Sequence, residues 1–328
     1  MASDYLGLDI GSFNVKFAQI KSRSFSKHRF ISFAISSIKD GAGKDRIIEA
    51  IKTGYKQLNT NNRKVNISVS GLNIITRYMT LPRIKESDLR RALEFELEKF
   101  SPYKREDMII DYSILTSLPG DRILILLVAS DKNFIQDRIA LVKEAGLEPQ
   151  SVNIDALALT ETFKALPNQP KGLIALLDIG YRLTKLIIIE NNIPYFSRDI
   201  EIGEYNVIES IAKRMGIKPE EAKKIAYQNE KSEILDKVLI YDIGNFSTEL
   251  SLSFQYCERT LDKKVEQILI TGGGSNIGIL VESLKKISNI KSVDFLNIAE
   301  GFKFASSLEP VQLKQKSLLL AIAIGLAL

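Results

Sequence analysis

The chain has no tryptophan, one cysteine (Cys257) and one histidine (His28) in 328 residues. A lone cysteine excludes an internal disulfide framework. One cysteine with one histidine also excludes a cysteine/histidine zinc site and any array of histidine general bases. Metal chemistry must then rest on oxygen ligands. Long apolar runs are scarce: the longest late one, LLLAIAIGLAL, has eleven residues, about 16 Å as a helix against a hydrocarbon core of about 30 Å. It has no basic face, so it reads as a buried interdomain helix rather than a membrane anchor. The opening residues lack the charged flank and apolar stretch of a signal peptide, which predicts a cytoplasmic protein. Charge is nearly balanced, with 45 Lys+Arg against 40 Asp+Glu and a net +5. That excess suits a phosphate ligand or an acidic membrane surface, reads more simply as a solvated exterior, and demands no nucleic acid.

What is present is ordinary globular composition, 45% hydrophobic and 26% charged, at a mean hydropathy of −0.01. The length exceeds what one core usually organises, so two α/β domains of about 150 residues are expected.

YLGLDIGSFNVKFAQI reads as a strand, a glycine-containing turn and a second strand, and LIALLDIGYRLTKLIIIE repeats the design. Asp-Ile-Gly stands at 9–11 and again at 178–180, each time with a lysine seven residues after the aspartate, Lys16 and Lys185. Two similar hairpins half a chain apart predict two related domains facing each other. A third Asp-Ile-Gly, at 242–244, is a decoy. Leu235, Leu239, Ile243, Phe246, Leu250, Phe254, Cys257 and Leu261 step by three and four, the stripe of one long helix that absorbs Gly244 at a cost of about 1 kcal/mol.

Between the hairpins, SDLRRALEFELEKFSPY is an amphipathic helix whose stripe Leu89, Leu93, Leu97 and Phe100 reads as packing. RILILLVAS is a buried strand, DKNFIQDRIALVKEAG a helix ended by Gly146, and VNIDALALTETFKAL another helical stretch. NQPKG is the most linker-like segment and marks the main division. EYNVIESIAKRMG and KPEEAKKIAYQNE are helices. VEQILITGGGSNIGILVESLKKI is a strand, three glycines and a helix capped by Ser275 or Asn276.

That last unit offers backbone N–H groups and a helix N-terminus to an anion or nucleotide. It does not fit the dinucleotide-binding G-x-G-x-x-G, and GAGKD fails the P-loop pattern because Ile38 and Asp45 stand where glycine and Ser/Thr are needed. Two hairpins and one strand–glycine–helix unit remain, able to clasp a polyphosphate from both sides. Glycines permit close approach, Ser12, Asn14 and Thr184 add side-chain hydrogen bonds, and Asp9 and Asp178 hold hydrated Mg²⁺.

This order resembles the actin, Hsp70 and sugar-kinase superfamily: LGLDIGSFNVKF is similar to its first phosphate loop, LLDIGYRLTKLII to its second and ILITGGGSNI to its adenosine loop. RALEFELEKFSPYKREDMIIDYSIL, LLVASDKNFIQDRIALVKEAGLEPQSVNIDALAL and AIAIGLAL resemble the PilM family, FtsA-like cytoplasmic proteins of type IV pilus assembly. The resemblance runs from about residue 5 to 328 and implies an actin-like (ribonuclease H-like) two-domain ATPase fold with an FtsA-type inserted subdomain. The implied subdomains are 1A (1–86 and 155–171, with the first phosphate loop), 1C (the insert, 87–154), 2A (172–204 and 265–328, with the second phosphate and adenosine loops) and 2B (205–264).

The resemblance further implies ATP with Mg²⁺ in the interdomain cleft. Asp9, Gly11, Ser12, Asn14 and Lys16 match the first phosphate loop, Asp178, Gly180 and Thr184 the second, and Gly273, Gly274 and Ser275 the adenosine loop. Lys224 or Lys223, with Glu221, matches a helix brought to the ribose and adenine, unless KPEEAKK is simply a solvated helix face. Asp155 stands where such proteins place a polar side chain that orients attacking water. The alternative for Asp155 is a helix N-cap, with Glu161 as the substitute. The implied function is an ATP-binding scaffold with slow or no hydrolysis that binds the N-terminal cytoplasmic segment of PilN and reaches the inner membrane through it. An active ATPase, a small-molecule kinase or an FtsA-like division or secretion scaffold stands as the alternative. FtsA-like proteins usually carry a C-terminal membrane-targeting helix, and none is expected here.

Overall fold

A computed structural model describes residues 4–22, 28–38, 43–99, 101–228, 233–287, 290–304 and 310–328. The first half opens with β1 (Asp4–Ile10), β2 (Asn14–Ser22) and β3 (His28–Ser37). It continues through α1 (Lys44–Gln57), β4 (Lys64–Val69), β5 (Ile74–Pro82), α2 (Glu86–Glu98), β6 (Met108–Leu118), β7 (Arg122–Asp131), α3 (Lys132–Glu144), β8 (Glu148–Ile154) and α4 (Asp155–Ala165). The second half holds β9 (Leu173–Ile179), β10 (Thr184–Glu190), β11 (Ile193–Ile200), α5 (Glu204–Met215), α6 (Pro219–Gln228), α7 (Glu233–Leu261), β12 (Val265–Thr271), α8 (Gly278–Lys285) and β13 (Ser292–Phe295). Then come α9 (Ile298–Gly301), β14 (Lys303–Phe304), α10 (Pro310–Leu319) and α11 (Ala321–Ala327).

The two large sheets have the same plan. In the first the order is β14-β3-β2-β1-β4-β8, and in the second β11-β10-β9-β12-β13. Each is an antiparallel three-strand meander whose first strand continues into two parallel strands. This duplicated, ribonuclease H-like arrangement is the actin-like architecture expected from the repeated hairpins.

Both faces of the second sheet are covered. On β9, Leu173, Ala175, Leu177 and Ile179 join the core formed with α5 to α8, while Ile174 and Leu176 face a middle layer containing Leu159 and Phe163 of α4 and most of α11. That explains why LIALLDI is apolar without alternation. Ala18 and Ile20 of β2 reach the same middle layer from the other side, so α4 and α11 cement the halves together. The approach is close enough that only glycine fits at two points. A Cβ on Gly7 would collide with the Ala323 carbonyl, and one on Gly325 with the Ala158 carbonyl.

Several sequence boundaries move. Strand pairing runs the inserted unit from Ile74 to Asp131 rather than over 87–154, because β5 pairs with β7 in a separate three-stranded sheet while β8 returns to β4. The tail assigned to the second half also comes back: β14 pairs with β3, and α11 packs on β1, β2 and α4. Leu89, Leu93 and Leu97 are buried against the insert's sheet, as their stripe predicts; Phe100 lies outside the described residues. The third Asp-Ile-Gly falls within α7, whose Phe246, Leu250, Phe254 and Cys257 are buried; the side chains of Leu235, Leu239 and Ile243 lie outside the described ones. VNI belongs to β8, and LLLAIAIGLAL is divided between α10 and α11. No described helix is long and apolar enough to cross a membrane.

Candidate functional site

The two hairpins close in the same way. The Gly11 N–H donates to the Asn14 carbonyl at 3.0 Å, and the Gly180 N–H to the Leu183 carbonyl at 2.9 Å. With two residues at each tip, positions seven apart become direct cross-strand partners, so Asp9 faces Lys16 and Asp178 faces Lys185. Lys16 Nζ lies 2.7 Å from Asp9 Oδ2. Lys185 Nζ lies 3.2 Å from Asp178 Oδ2 and 3.3 Å from Asp155 Oδ2, so it ties the first residue of α4 to the second half.

The hairpins face one another across a cavity of about 670 Å³. Asp9, Gly11, Ser12, Asn14, Lys16, Asp155, Asp178, Gly180, Lys185, Glu204, Gly272 and Gly273 all line it, with Arg138 of α3 as a further cation. Aromatic rings join its lining: Phe13 from the first tip stacks on Tyr181 from the second at 4.6 Å, and Tyr205 meets Tyr181 edge-on at 5.6 Å. Lys223 Nζ sits 4.4 Å from the centre of the Phe13 ring.

Burial and charge oppose each other here. Burial raises the Asp9 carboxyl above its ordinary value despite Lys16. Burial also pushes Asp155 upward, but Lys185 and the hydroxyls of Ser68 and Ser70 outweigh it and hold that carboxyl below its ordinary value. Burial lowers Lys185, yet Asp178, Asp155 and Asp9 together raise it, so it stays charged.

The N-cap reading of Asp155 does not hold. The cap position is Ile154, and the Asp155 carboxylate instead accepts from Ser68 Oγ at 2.5 Å and pairs with Lys185. Glu161 is exposed and paired with Lys164, away from the cavity. Thr184 is fully buried and donates to the Ile202 carbonyl at 2.7 Å, so its hydroxyl is committed to the fold.

In the glycine loop, a 3-10 turn over Gly273–Asn276 separates β12 from α8, and the helix cap is Ile277 rather than Ser275 or Asn276. Ser275 is buried and donates to the Gly272 carbonyl, and Gly274 packs on Ile179. Gly272, at φ +86°, lies so close to Ile179 and Asp178 that a Cβ would stand 2.5 Å from the Ile179 carbonyl oxygen. On α6, Lys224 and Glu221 are exposed, and it is Lys223 that turns inward.

Sequence reasoning passed over Lys185 as a site residue although its spacing marked it, and it had no signal for Glu204 or Arg138. Among the described residues no group of three or more His, Cys, Asp or Glu side chains is placed to hold a metal ion by itself. Asp9 and Asp178 are each paired with a lysine in the same cavity, a donor set that fits a hydrated cation shared with phosphate oxygens rather than a protein cage.

Residues 7–328 match the family model described as "Type IV pilus assembly protein PilM". The chain belongs to the PilM family. Its fold is similar to that of the PilM-PilN type IV pilus biogenesis complex, with a TM-score of 0.86 and 21% identity over 100% of this chain and 98% of the other. The PilM fold is also similar to MreB 5 of Spiroplasma citri, solved bound to AMPPNP, with a TM-score of 0.52 and 13% identity over 99% and 95%. Cell division protein FtsA of Bacillus subtilis (strain 168) is 25% identical over 150 residues, 44% of this chain. The match spans about a third of that relative's length, 33%.

Proposed function

We propose that this PilM-family chain is an ATP-binding, actin-like scaffold of the type IV pilus inner-membrane platform. It works on the cytoplasmic side and binds the N-terminal cytoplasmic segment of PilN, which brings it to the membrane. The observation that carries this reading is the likeness to the PilM-PilN complex over the whole chain, together with the family match.

The cavity supports the nucleotide part. Lys16, Lys185 and Ser12 bind the phosphates, with the two hairpin tips above and below them. Asp9 and Asp178 would hold Mg²⁺, and the cation would offset phosphate charge. Asp155 orients water only weakly: its carboxylate is engaged by Lys185 and Ser68 and held below its ordinary pKa, which makes it a poor base and favours slow hydrolysis.

Lys185 has carboxylate partners on both halves, so a polyphosphate that competes for it alters how the halves close and therefore which partners bind. A second groove of about 370 Å³ shares Ser70, Gly71, Leu72 and Asp155 with the first. It adjoins the contact between the first sheet and the insert, and it is our candidate seat for the peptide segment.

The test is fluorescence anisotropy with a labelled PilN N-terminal peptide, with and without ATP and Mg²⁺, beside a single-turnover assay with protein in excess over labelled ATP. Expected are peptide binding whose affinity depends on nucleotide, and retained, slowly hydrolysed ATP that Asp9→Ala loses. No peptide binding in either state overturns the scaffold; rapid turnover moves the chain to the enzymes.

A further inference from the structure

The cavity between the hairpins occupies one end of the second sheet, and a separate recess of about 290 Å³ lies at the other. Leu173, Glu190 and Gln267 line the recess. Asp178, Lys185 and Gly272, each five residues away on the same chain segments, line the cavity. At about 3.3 Å per residue the two are about 16 Å apart.

The recess gathers four lysines from three separate segments. Lys171 comes from the stretch before β9, Lys263 and Lys264 from the turn between α7 and β12, and Lys291 from just before β13. The turns that carry them are tight: Gly172, after Lys171, has φ +96°, and Asp262, before Lys263, has φ +51°. Two acids share the lining, and each is engaged by one lysine. Glu190, its side chain 15% exposed, accepts from Lys263 Nζ through both carboxylate oxygens at 2.8 Å. Glu266 pairs with Lys291 at 2.7 Å. Gln267 is committed as well, donating to Asp294 at 3.2 Å. Lys171 and Lys264 are left with no ion-pair partner among the described residues, in a lining that holds four lysines against two acids.

Like charges held around one recess repel, and an anion placed between them removes that cost. A lysine ammonium is a compact point charge, and several around one centre suit an anion that spreads its charge over several oxygens. Ser292 adds a hydroxyl to the lining, a neutral donor for a further oxygen. Phosphate has this chemistry, and the recess has room for a phosphate ester. The excess of 45 Lys+Arg over 40 Asp+Glu thus has a local seat, away from the hairpins.

We propose that this recess is a second anion site, one that takes a phosphate-bearing ligand with Lys171 and Lys264 as its direct contacts. Glu190 and Glu266 hold Lys263 and Lys291 beside them. The phosphate belongs either to an anionic phospholipid headgroup or to a soluble phosphate ester, which present the same oxygens to the same ammonium groups. The site is independent of what the cavity binds.

The test gives the full chain two probes. One is sedimentation with vesicles of phosphatidylglycerol and phosphatidylcholine, against vesicles of phosphatidylcholine alone. The other is calorimetric titration with glycerol 1-phosphate. Three proteins are compared: the wild type, the double variant Lys171→Gln/Lys264→Gln, and Lys52→Gln/Lys56→Gln, which removes the same charge from the exposed side of α1. Circular dichroism checks that all three are folded. The wild type is expected to bind one of the probes, less tightly as salt is raised. The double variant is expected to bind that probe about thirtyfold more weakly, the scale of two lysines at an anionic surface, while the α1 variant matches the wild type. Binding to the phosphatidylglycerol vesicles identifies a lipid headgroup, and binding of glycerol 1-phosphate without the vesicles identifies a soluble ester. A wild type that binds neither probe overturns the site. So does binding that the double variant retains, which places the anion elsewhere on the molecule, or an equal loss in the α1 variant, which reduces the effect to net charge.

Discussion

Lys185→Met is the most informative single substitution, because it deletes a charge while keeping most of the stem that packs in the cleft. Lys185 sits with its side chain 12% exposed between Asp155 at 7% and Asp178 at 10%. Removing the ammonium leaves two buried carboxylates without their shared partner, a class of change that costs about 3–5 kcal/mol. The pH dependence carries a sign. In the wild type Asp155 titrates below its ordinary 3.8, so its contribution is present above that value and lost as pH falls through the folded pKa. In the variant Asp155 keeps burial, which raises it, and the Ser68 and Ser70 hydroxyls, which lower it, but loses the ammonium, so its carboxyl moves upward. The penalty is then largest near pH 7 and shrinks toward about pH 5 as Asp155 takes up a proton. Urea unfolding followed by circular dichroism at both pH values measures the loss, and adding Asp155→Asn should recover part of it. A loss below about 1 kcal/mol at pH 7, the level of an exposed pair, or an equal loss at both pH values, would refute the buried bridge.

Two further substitutions probe the joint between the halves. Gly325→Ala places a Cβ against the Ala158 carbonyl and should lower the melting temperature by about 2–4 °C, as overpacking of a rigid backbone contact does; an unchanged melting temperature would mean that α11 can shift freely. Asp199 of β11 accepts the Gly71 N–H of the first half at 2.5 Å, and burial raises its carboxyl above the ordinary value. Its stabilising contribution is therefore present below the ordinary carboxylate range and lost as pH rises through the folded pKa. Asp199→Asn keeps an acceptor and removes the charge, so relative to the wild type it should gain stability at pH 7 and lose that advantage toward about pH 4. A marked loss at pH 7 would show that the charge itself holds Gly71.

The hairpins were legible because their signal is local. Asp9 and Lys16, like Asp178 and Lys185, are brought together by a two-residue turn, and cross-strand pairing follows directly from the seven-residue spacing. The stripes of α2 and α7 were legible for the same reason, since a helix of 3.6 residues per turn writes its buried face into the sequence. The insert boundary was not. β5 carries a mixed burial pattern, and nothing in nine residues says whether a strand joins the sheet before it or the one after it. Glu204 likewise follows Gly203 with no mark that separates it from a surface acid.

The sequence by itself determined that two acid–lysine hairpins face each other in a duplicated α/β fold, because period, turn chemistry and repeat spacing are properties of short segments. Tertiary structure alone decided which polar groups stay available. It consumed Thr184 and Ser275 in backbone hydrogen bonds, turned Lys223 inward and Lys224 outward, and pressed α11 from the end of the chain onto β1. It also buried Glu204 beside Gly273, sixty-nine positions away in the chain. Such choices depend on which backbone carbonyls and cavities lie within a few ångströms after packing, and no window of sequence contains that information.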